Sequence, residues 1–259
     1  MDAEEKEEGP LDLARLTWSE AEAALRSATV VLLPVGAVEA HGPHLPLNTD
    51  VIIAVETARR AAARLADQGE AVVLAPPINY GVSYVGTCFA GTVPAPADVI
   101  TGLVASVLSH LAAGGPRRLA VINAHLEPAH VTAVRAGVDN AIAATSARIA
   151  FPDQRQDRWA ATLSEEFRRG ARHAGSYETS LMLVAAPDQV RIDLLSTLPP
   201  VWVDLPSRLR DGARTFAEAG GTQGYFGDPA SATAAEGEWL FDALATMIVT
   251  AVEELGAVE

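Results

Sequence analysis

The sequence predicts an α/β fold built on a mainly parallel sheet, and three observations carry that reading. Short apolar runs at 28–34, 71–75, 118–123 and 147–151 have the length and composition of buried strands. Longer segments between them, 51–68, 98–113 and 131–144, repeat apolar residues at helical spacing. Strand and helix alternate through the first 150 residues, the order that yields βαβ crossovers.

In chain order, 11–25 places Trp18, Ala21 and Leu25 at helix-like spacing, with Ser19 and Glu22 set as a capping box. Helix 51–68 sets apolar Ile52, Val55 and Ala58 against Glu56, Arg59 and Arg60, and Gly69 stops it. Strand 71–75 closes at Pro76-Pro77. The stretch 79–96 has no regular period, and a loop this long inside a compact domain is a functional candidate. Helix 98–113 ends at Gly114-Gly115, and a loop at 124–129 leaves strand 118–123. Further helices are expected at 157–169, where Trp159 reads as a core residue, at 177–185, and at 230–255. The last carries Trp239, Leu240, Leu244, Met247, Ile248 and Val252. Segment 187–222 is poorly patterned and is expected to serve core and subunit contacts. No internal repeat or linker divides the chain. The expectation is one domain over 11–259 behind a mobile acidic tail at 1–10.

Composition narrows the classes. An apolar fraction of 49% is ample for a core. The net charge of −14 argues against a nucleic-acid partner. No run of about 18 residues is uniformly apolar, so no membrane partner is expected, and the acidic start lacks the apolar stretch of a signal peptide. One cysteine, Cys88, cannot form an intrachain disulfide and fits a reducing cytoplasm; it is expected to be a small buried hydrophobe.

The chemistry concentrates after the strands. Residues 34–50 read Pro-Val-Gly-Ala-Val-Glu-Ala-His-Gly-Pro-His-Leu-Pro-Leu-Asn-Thr-Asp. That density of glycine and proline makes a loop at the carboxyl end of a strand, where parallel sheets place ligand sites. Glu39 and His41 are two apart, so an extended backbone turns both to one face, and Asp50 stands at the mouth of the next helix. Carboxylate with imidazole suits Zn²⁺, Mn²⁺ or Fe²⁺; a solvated polar loop is the plain alternative. A second strand end repeats the pattern in His125 and Glu127. With Asp50 this makes five ligands, a count that fits two ions sharing a bridging carboxylate about 3.5 Å apart; the alternative is a core or capping His125. In the third segment, 173–180, His173 has the ordinary pKa for moving protons near neutrality. Glu178 could orient His173, support a ligand, bind substrate, or serve as a first-turn acid. His44 is expected behind the ligands as a hydrogen-bond donor, and His110 and His130 as surface or helix-dipole-compensating residues. Ser83 lacks the surroundings of a nucleophile.

These three segments resemble the creatininase (creatinine amidohydrolase) family. Residues 36–50 are similar to its metal-binding signature, Asn-Ala-His-Leu-Glu to its second metal segment, and His-Ala-Gly-Ser-Tyr-Glu-Thr-Ser to its third, in the family's order. The resemblance implies a three-layer α/β/α sandwich with a mainly parallel central sheet, commonly assembled as a hexamer. It implies Glu39, His41, Asp50, His125 and Glu127 as ligands, Asp50 bridging, with His173 as proton donor and Glu178 beside it. It places substrate contacts at Ser83, with Tyr84 next to it, and at Leu126. Creatininases carry an aromatic residue at the position of Leu126, and a tryptophan and aspartate where 166–170 reads Glu-Phe-Arg-Arg-Gly, so creatinine itself is not expected. The implied activity is metal-dependent hydrolysis of a C–N bond in a small amide, cyclic amide or formamide, with two divalent ions as cofactor and a homo-oligomer as the assembly. The rival readings are a non-catalytic metal-bound scaffold and a peptidase or lactonase using the same site.

Overall fold

The structure, a computed structural model, describes residues 10–256. The acidic tail expected at 1–10 lies outside the described residues but for Pro10. Five parallel strands form the sheet: β1 (Leu11–Asp12), β2 (Val30–Val35), β3 (Val72–Leu74), β4 (Arg118–Asn123) and β5 (Arg148–Ala150). Their order is β1-β3-β2-β4-β5, with β2 central.

Strand β2 shows why the layers form. Val30 and Leu32 face one core, while Val31, Leu33 and Val35 face the other. A strand covered on both faces has no polar side to keep, hence the continuous apolar run. One layer contains α2 (Thr49–Asp67), α7 (Ser176–Ala185) and α11 (Ala234–Gly256). The other contains α1 (Trp18–Ser27), α3 (Ala97–Ala113) and α4 (Pro128–Ala144). The result is a three-layer α/β/α arrangement, as the resemblance implied. Short helices fill the chain between β5 and α11: α5 (Asp157–Ala160), α6 (Glu165–Arg168), α8 (Ile192–Leu195), α9 (Leu205–Arg210) and α10 (Phe216–Ala219). Segment 187–222 therefore has structure of its own, and Leu205, Phe216 and Ala219 build a small third core with Ala171 and Phe226.

Several local expectations are corrected. The first helix starts at Trp18; residues 11–12 form an edge strand paired with β3 instead. Its cap is Thr17 with Glu20, whose carboxylate accepts from the Thr17 N–H and hydroxyl at 2.7 Å, not Ser19 with Glu22. Trp18, placed on the apolar face, is 81% exposed. The helix expected over 157–169 breaks in two, because the Ser164 hydroxyl accepts from the Phe167 N–H and opens a new helix there. Cys88 is exposed rather than buried. Trp159 is half-buried against the first core, as read from sequence. Among the described residues no helix is long and apolar enough to cross a membrane.

Close packing of α11 on α7 depends on Gly237, where a Cβ would collide with the Ser180 carbonyl, whereas Gly102 on exposed α3 has nothing within 4 Å. In denaturant unfolding, Gly237→Ala should lower stability by about 1–3 kcal/mol through overpacking. Gly102→Ala should raise it by up to about 1 kcal/mol through helix propensity.

Candidate metal centre

The site lies beyond the carboxyl ends of β2 and β4, which pair in register to Val35 opposite Asn123. The loop leaving β2 turns back at once onto the start of α2: a Cβ on Gly36 would sit 2.6 Å from Val51 N. That contact brings Asp50, in the first turn of α2, back beside the loop. Within the loop the Glu39 N–H donates to the Leu47 carbonyl at 2.9 Å, and Gly42 takes a φ of +65°. Residues 79–96 pack over it, the Val93 N–H reaching Val38 O at 3.1 Å and Thr92 Oγ1 accepting from Ala40 N at 3.0 Å.

The side chains converge. His125 Nδ1 lies 3.1 Å from Glu39 Oε1 and 3.1 Å from Asp50 Oδ2. His41 Nε2 lies 3.1 Å from Asp50 Oδ1 and 3.6 Å from Glu178 Oε2. His173 Nδ1 is 3.6 Å from Glu39 Oε1. All six are buried. Their ligand atoms fall into trios close enough to share an ion: Glu39, Asp50 and His125; His41, Asp50 and Glu178; and Glu39, His41 and His173.

Ring orientation decides what the trios can hold. A carbonyl only accepts, so the ring nitrogen facing it carries the hydrogen. His125 Nε2 donates to Val82 O at 2.8 Å, His41 Nδ1 to Glu39 O at 3.0 Å, and His173 Nε2 to Ala40 O at 2.8 Å. Each ring's other nitrogen then points at carboxylates, lone pair against anion. Glu39 Oε2 and Asp50 Oδ2 are buried without a hydrogen bond of good geometry. Lone pairs and unmatched anions facing one small space repel, and a divalent cation removes the conflict. The donor set of imidazole nitrogens and carboxylate oxygens fits Zn²⁺ or Mn²⁺.

Protons are the other remedy. Burial disfavours a charged His41, but the charge and hydrogen bond of Asp50, with the charges of Glu178 and Glu39, together outweigh it and raise its pKa to about 10. His125 is likewise raised well above the usual value by Glu39 and Asp50 against the pull of burial. Burial pushes the Glu178 carboxyl up to about 8, with His41 opposing. For Asp50, burial is outweighed by His41 and His125, which hold it below the usual range. Burial, then the charge of His41, pull His173 down to about 4, so His173 is a neutral base at pH 7 with Nδ1 free, rather than the half-protonated shuttle its ordinary pKa implied.

The two remaining carboxylates take different positions. Glu178, expected beside the catalytic histidine, completes the trio with His41 and Asp50. Glu127, expected as a ligand, belongs to none of the trios; its carboxylate accepts from Val85 N at 3.2 Å and lines the cleft wall, where burial raises its pKa. Glu127 stands at the N-cap position of α4. The cleft above the trios has a volume of about 900 Å³ and is lined by Leu126 among others. Ser83 and Tyr84 do not line it: Ser83 is fully buried without a partner for its hydroxyl, and Tyr84 is half exposed elsewhere.

Three further groups support the centre. His130, expected on the surface, is fully buried. Its Nδ1 accepts from Val82 N at 3.2 Å and its Nε2 donates to Asn123 Oδ1 at 3.0 Å, so it fixes the carbonyl that orients His125. His44 shares a 2.9 Å hydrogen bond with Thr179 Oγ1, tying the loop to α7. Ala174, between His173 and Glu178, has a φ of 51°, and its N–H donates to Glu178 Oε2 at 2.6 Å. The cleft's far wall, Leu205, Leu209, Phe216 and Arg172, was missed because 187–222 shows no period; only the adjacency of Arg172 to His173 marked it.

The chain matches the Creatininase family model, described as creatinine amidohydrolase, over residues 14–252. It is 36% identical over 217 residues to the mycofactocin precursor peptide peptidase of Mycobacterium ulcerans (strain Agy99), covering 82% of this chain and 79% of that one. It is 31% identical over 208 residues to the creatinine amidohydrolase of Pseudomonas putida, covering 73% of this chain and 76% of that one. A mutant creatininase complexed with creatine superposes with a TM-score of 0.72 at 27% identity, covering 95% of this chain and 98% of that one. Solved creatininases of the same fold include forms described as "Creatininase Mn" and "Zn-Zn type", at TM-scores of 0.71 and 0.70 and 26% identity, with 95% of this chain and 98% of each covered.

The proton remedy makes metal-free stability depend on pH. Folded His41 keeps its proton up to pH about 10. The unfolded chain releases it near ~6.5, so this contribution is complete below ~6.5 and is lost as pH rises. Glu178, held protonated to about 8, acts in the same direction. By circular dichroism, the metal-free protein should melt at lower temperature at about pH 9 than at about pH 6, and saturating Zn²⁺ or Mn²⁺ should restore the alkaline value.

Proposed function

This chain belongs to the creatininase family, and on that premise we propose that it hydrolyses a C–N amide bond in a small molecule with two divalent cations held around Asp50. One observation carries the reading: the two oxygens of Asp50 face separate trios, Oδ1 toward His41 and Oδ2 toward His125. Glu39, Asp50 and His125 would hold one ion, and His41, Asp50 and Glu178 the other. Ions in such a pair supply Lewis-acid polarisation of a carbonyl and lower the pKa of water from ~16 to ~7.

The remaining steps fall to the chain's own groups. His173 is the proton carrier. Its Nε2–H is committed to Ala40 O, leaving Nδ1 to take a proton from the attacking water and return it to the departing nitrogen. Its ring is clamped between Phe216 at 4.1 Å and His41 at 4.4 Å, so Nδ1 keeps its aim. Glu127 on the wall is a second carboxyl able to exchange a proton with a bound substrate. Leu126 and Phe216 give the cleft apolar lining that excludes water.

A short peptide is the second reading, favoured by a cleft of about 900 Å³, larger than a small cyclic amide needs, and by the peptidase name of the Mycobacterium ulcerans relative. A lactone would meet the same groups. A non-catalytic scaffold leaves the free Nδ1 of His173 without a task. A homo-oligomer belongs to the proposal, with the exposed Val99, Leu103 and Ile142 of α3 and α4 offering apolar surface for subunit contact.

Amide hydrolysis across a panel of cyclic amides, formamides and short peptides should vanish on chelation and return with Zn²⁺ or Mn²⁺. Asp50→Asn should release both ions, measured by elemental analysis of the purified protein. His173→Ala should keep its metal content and lose about 10²–10⁴ in kcat. Turnover that survives complete metal removal refutes the proposal.

A further inference from the structure

The chain is acidic overall, and several of its arginines are matched to carboxylates: Arg26 to Glu22, Arg60 to Glu56 and Glu238, Arg64 to Asp242, Arg118 to Glu70, and Arg158 to Glu254. The cleft over the metal centre gathers basic side chains. Arg155, Arg172, Arg210 and Arg214 all line it. Arg155 is paired with Asp153, its Nη2 2.8 Å from Oδ2. Arg210 donates only to the Ser207 hydroxyl at 2.7 Å. Neither Arg172 nor Arg214 has an ion pair among the described residues.

Arg172 is built to receive something. Its Nε donates to Phe167 O at 2.8 Å, and its guanidinium lies 4.6 Å over the Phe167 ring. Those contacts fix the plane of the fork and leave both Nη groups without a hydrogen bond among the described residues. Arg155 stands close enough for the two charges to repel, while the Asp204 and Asp153 carboxylates attract Arg172 without closing an ion pair. The cleft's carboxylates are already committed: Glu39, Asp50 and Glu178 to the trios, Glu127 to Val85 N, and Asp153 to Arg155. A fixed, part-buried guanidinium whose Nη groups make no direct ion pair among the described residues, in a protein of net charge −14, is a seat for an anion from outside.

We infer that the substrate is an amide carrying an oxyanion, a carboxylate or a phosphate, which seats on Arg172 while an apolar body lies against Leu126, Leu209 and Phe216. The inference rests on the hydrolase reading for the word amide and on the arginines alone for the anion. Arg214, exposed at the rim, draws the anion in; Arg172 holds it. The rigid fork favours two-pronged binding, which a planar carboxylate or a phosphate offers and a neutral amide does not.

Two measurements separate the parts. First, the metal-free full-length protein is titrated calorimetrically with succinate and with inorganic phosphate at fixed ionic strength. At least one should bind, and Arg172→Gln should weaken it by about tenfold or more; Arg214→Gln, which touches no core contact, should weaken it less. Second, the metal-loaded protein is assayed on matched amides: N-acetylphenylalanine against N-acetylphenethylamine, and N-acetylphosphoethanolamine against N-acetylethanolamine. The charged member should lead in kcat/KM by about tenfold, chiefly through KM, and Arg172→Gln should erase the lead. Which pair shows the lead tells carboxylate from phosphate. Silence toward both anions, binding indifferent to Arg172→Gln, or equal turnover of neutral and charged amides overturns the inference. Anion binding lost in Arg172→Gln with no amide turned over supports the anion seat and overturns the hydrolase reading. Neutral turnover without anion binding does the reverse.

Discussion

One carboxylate sets the terms for the rest of the molecule. Asp50 is buried between His41 and His125, whose inward nitrogens face it at 3.1 Å each. Neither imidazole can turn away, because each is tied through its other nitrogen to a backbone carbonyl, Glu39 O or Val82 O. The arrangement is therefore fixed before any ion arrives, and its repulsion is relieved only by positive charge in the middle. Placing Asp50 there requires the loop after β2 to touch the start of α2, which a side chain on Gly36 would block. Placing His125 there requires β4 to run parallel and in register beside β2. The sheet order follows from the site as much as from the core.

The helix ends complete the electrostatics. Asp50 and Glu178 both occupy first turns, of α2 and α7, where the helix dipole favours an anionic side chain. Holding Glu178 inward costs backbone strain at Ala174, whose positive φ is unfavourable for a side-chain-bearing residue. Neighbouring contacts hold that turn in place. Glu166 accepts from Tyr177 N at 2.9 Å and from Asp228 N at 2.7 Å, stapling the start of α7 to the chain before α11. The His44–Thr179 bond does the same from the metal loop. Strain is thus kept at the site by packing that would have to break to release it.

The sheet and the ligand types were legible in the sequence because both leave local marks. Strands covered on two faces appear as apolar runs, and Gly-Pro loops rich in His and acid appear at their ends. Residues 11–12 were not legible, since two residues carry no period and their strand exists only through pairing with β3. His130 was misplaced for a related reason: a histidine at a helix start looks like a surface group until the partners of both its nitrogens, Val82 and Asn123, are known. The positions of Glu127 and Glu178 mark the same limit. Spacing says that a carboxylate is near, but only the fold says which of two lies within reach of His41.

Reaction and substrate are governed by different parts of the chain. The ligands come from the ends of β2 and β4 and the starts of α2 and α7, rigid positions in the large cores. The opposite wall comes from 205–216, held by a small core of its own around Phe216 and Phe226. Changes in that wall leave the trios untouched while altering shape and charge above them. Basic side chains line this cleft in an otherwise acidic protein, Arg210 and Arg214 from that wall and Arg155 and Arg172 from the chain before it. A fold divided in this way can keep one floor and vary the wall above it.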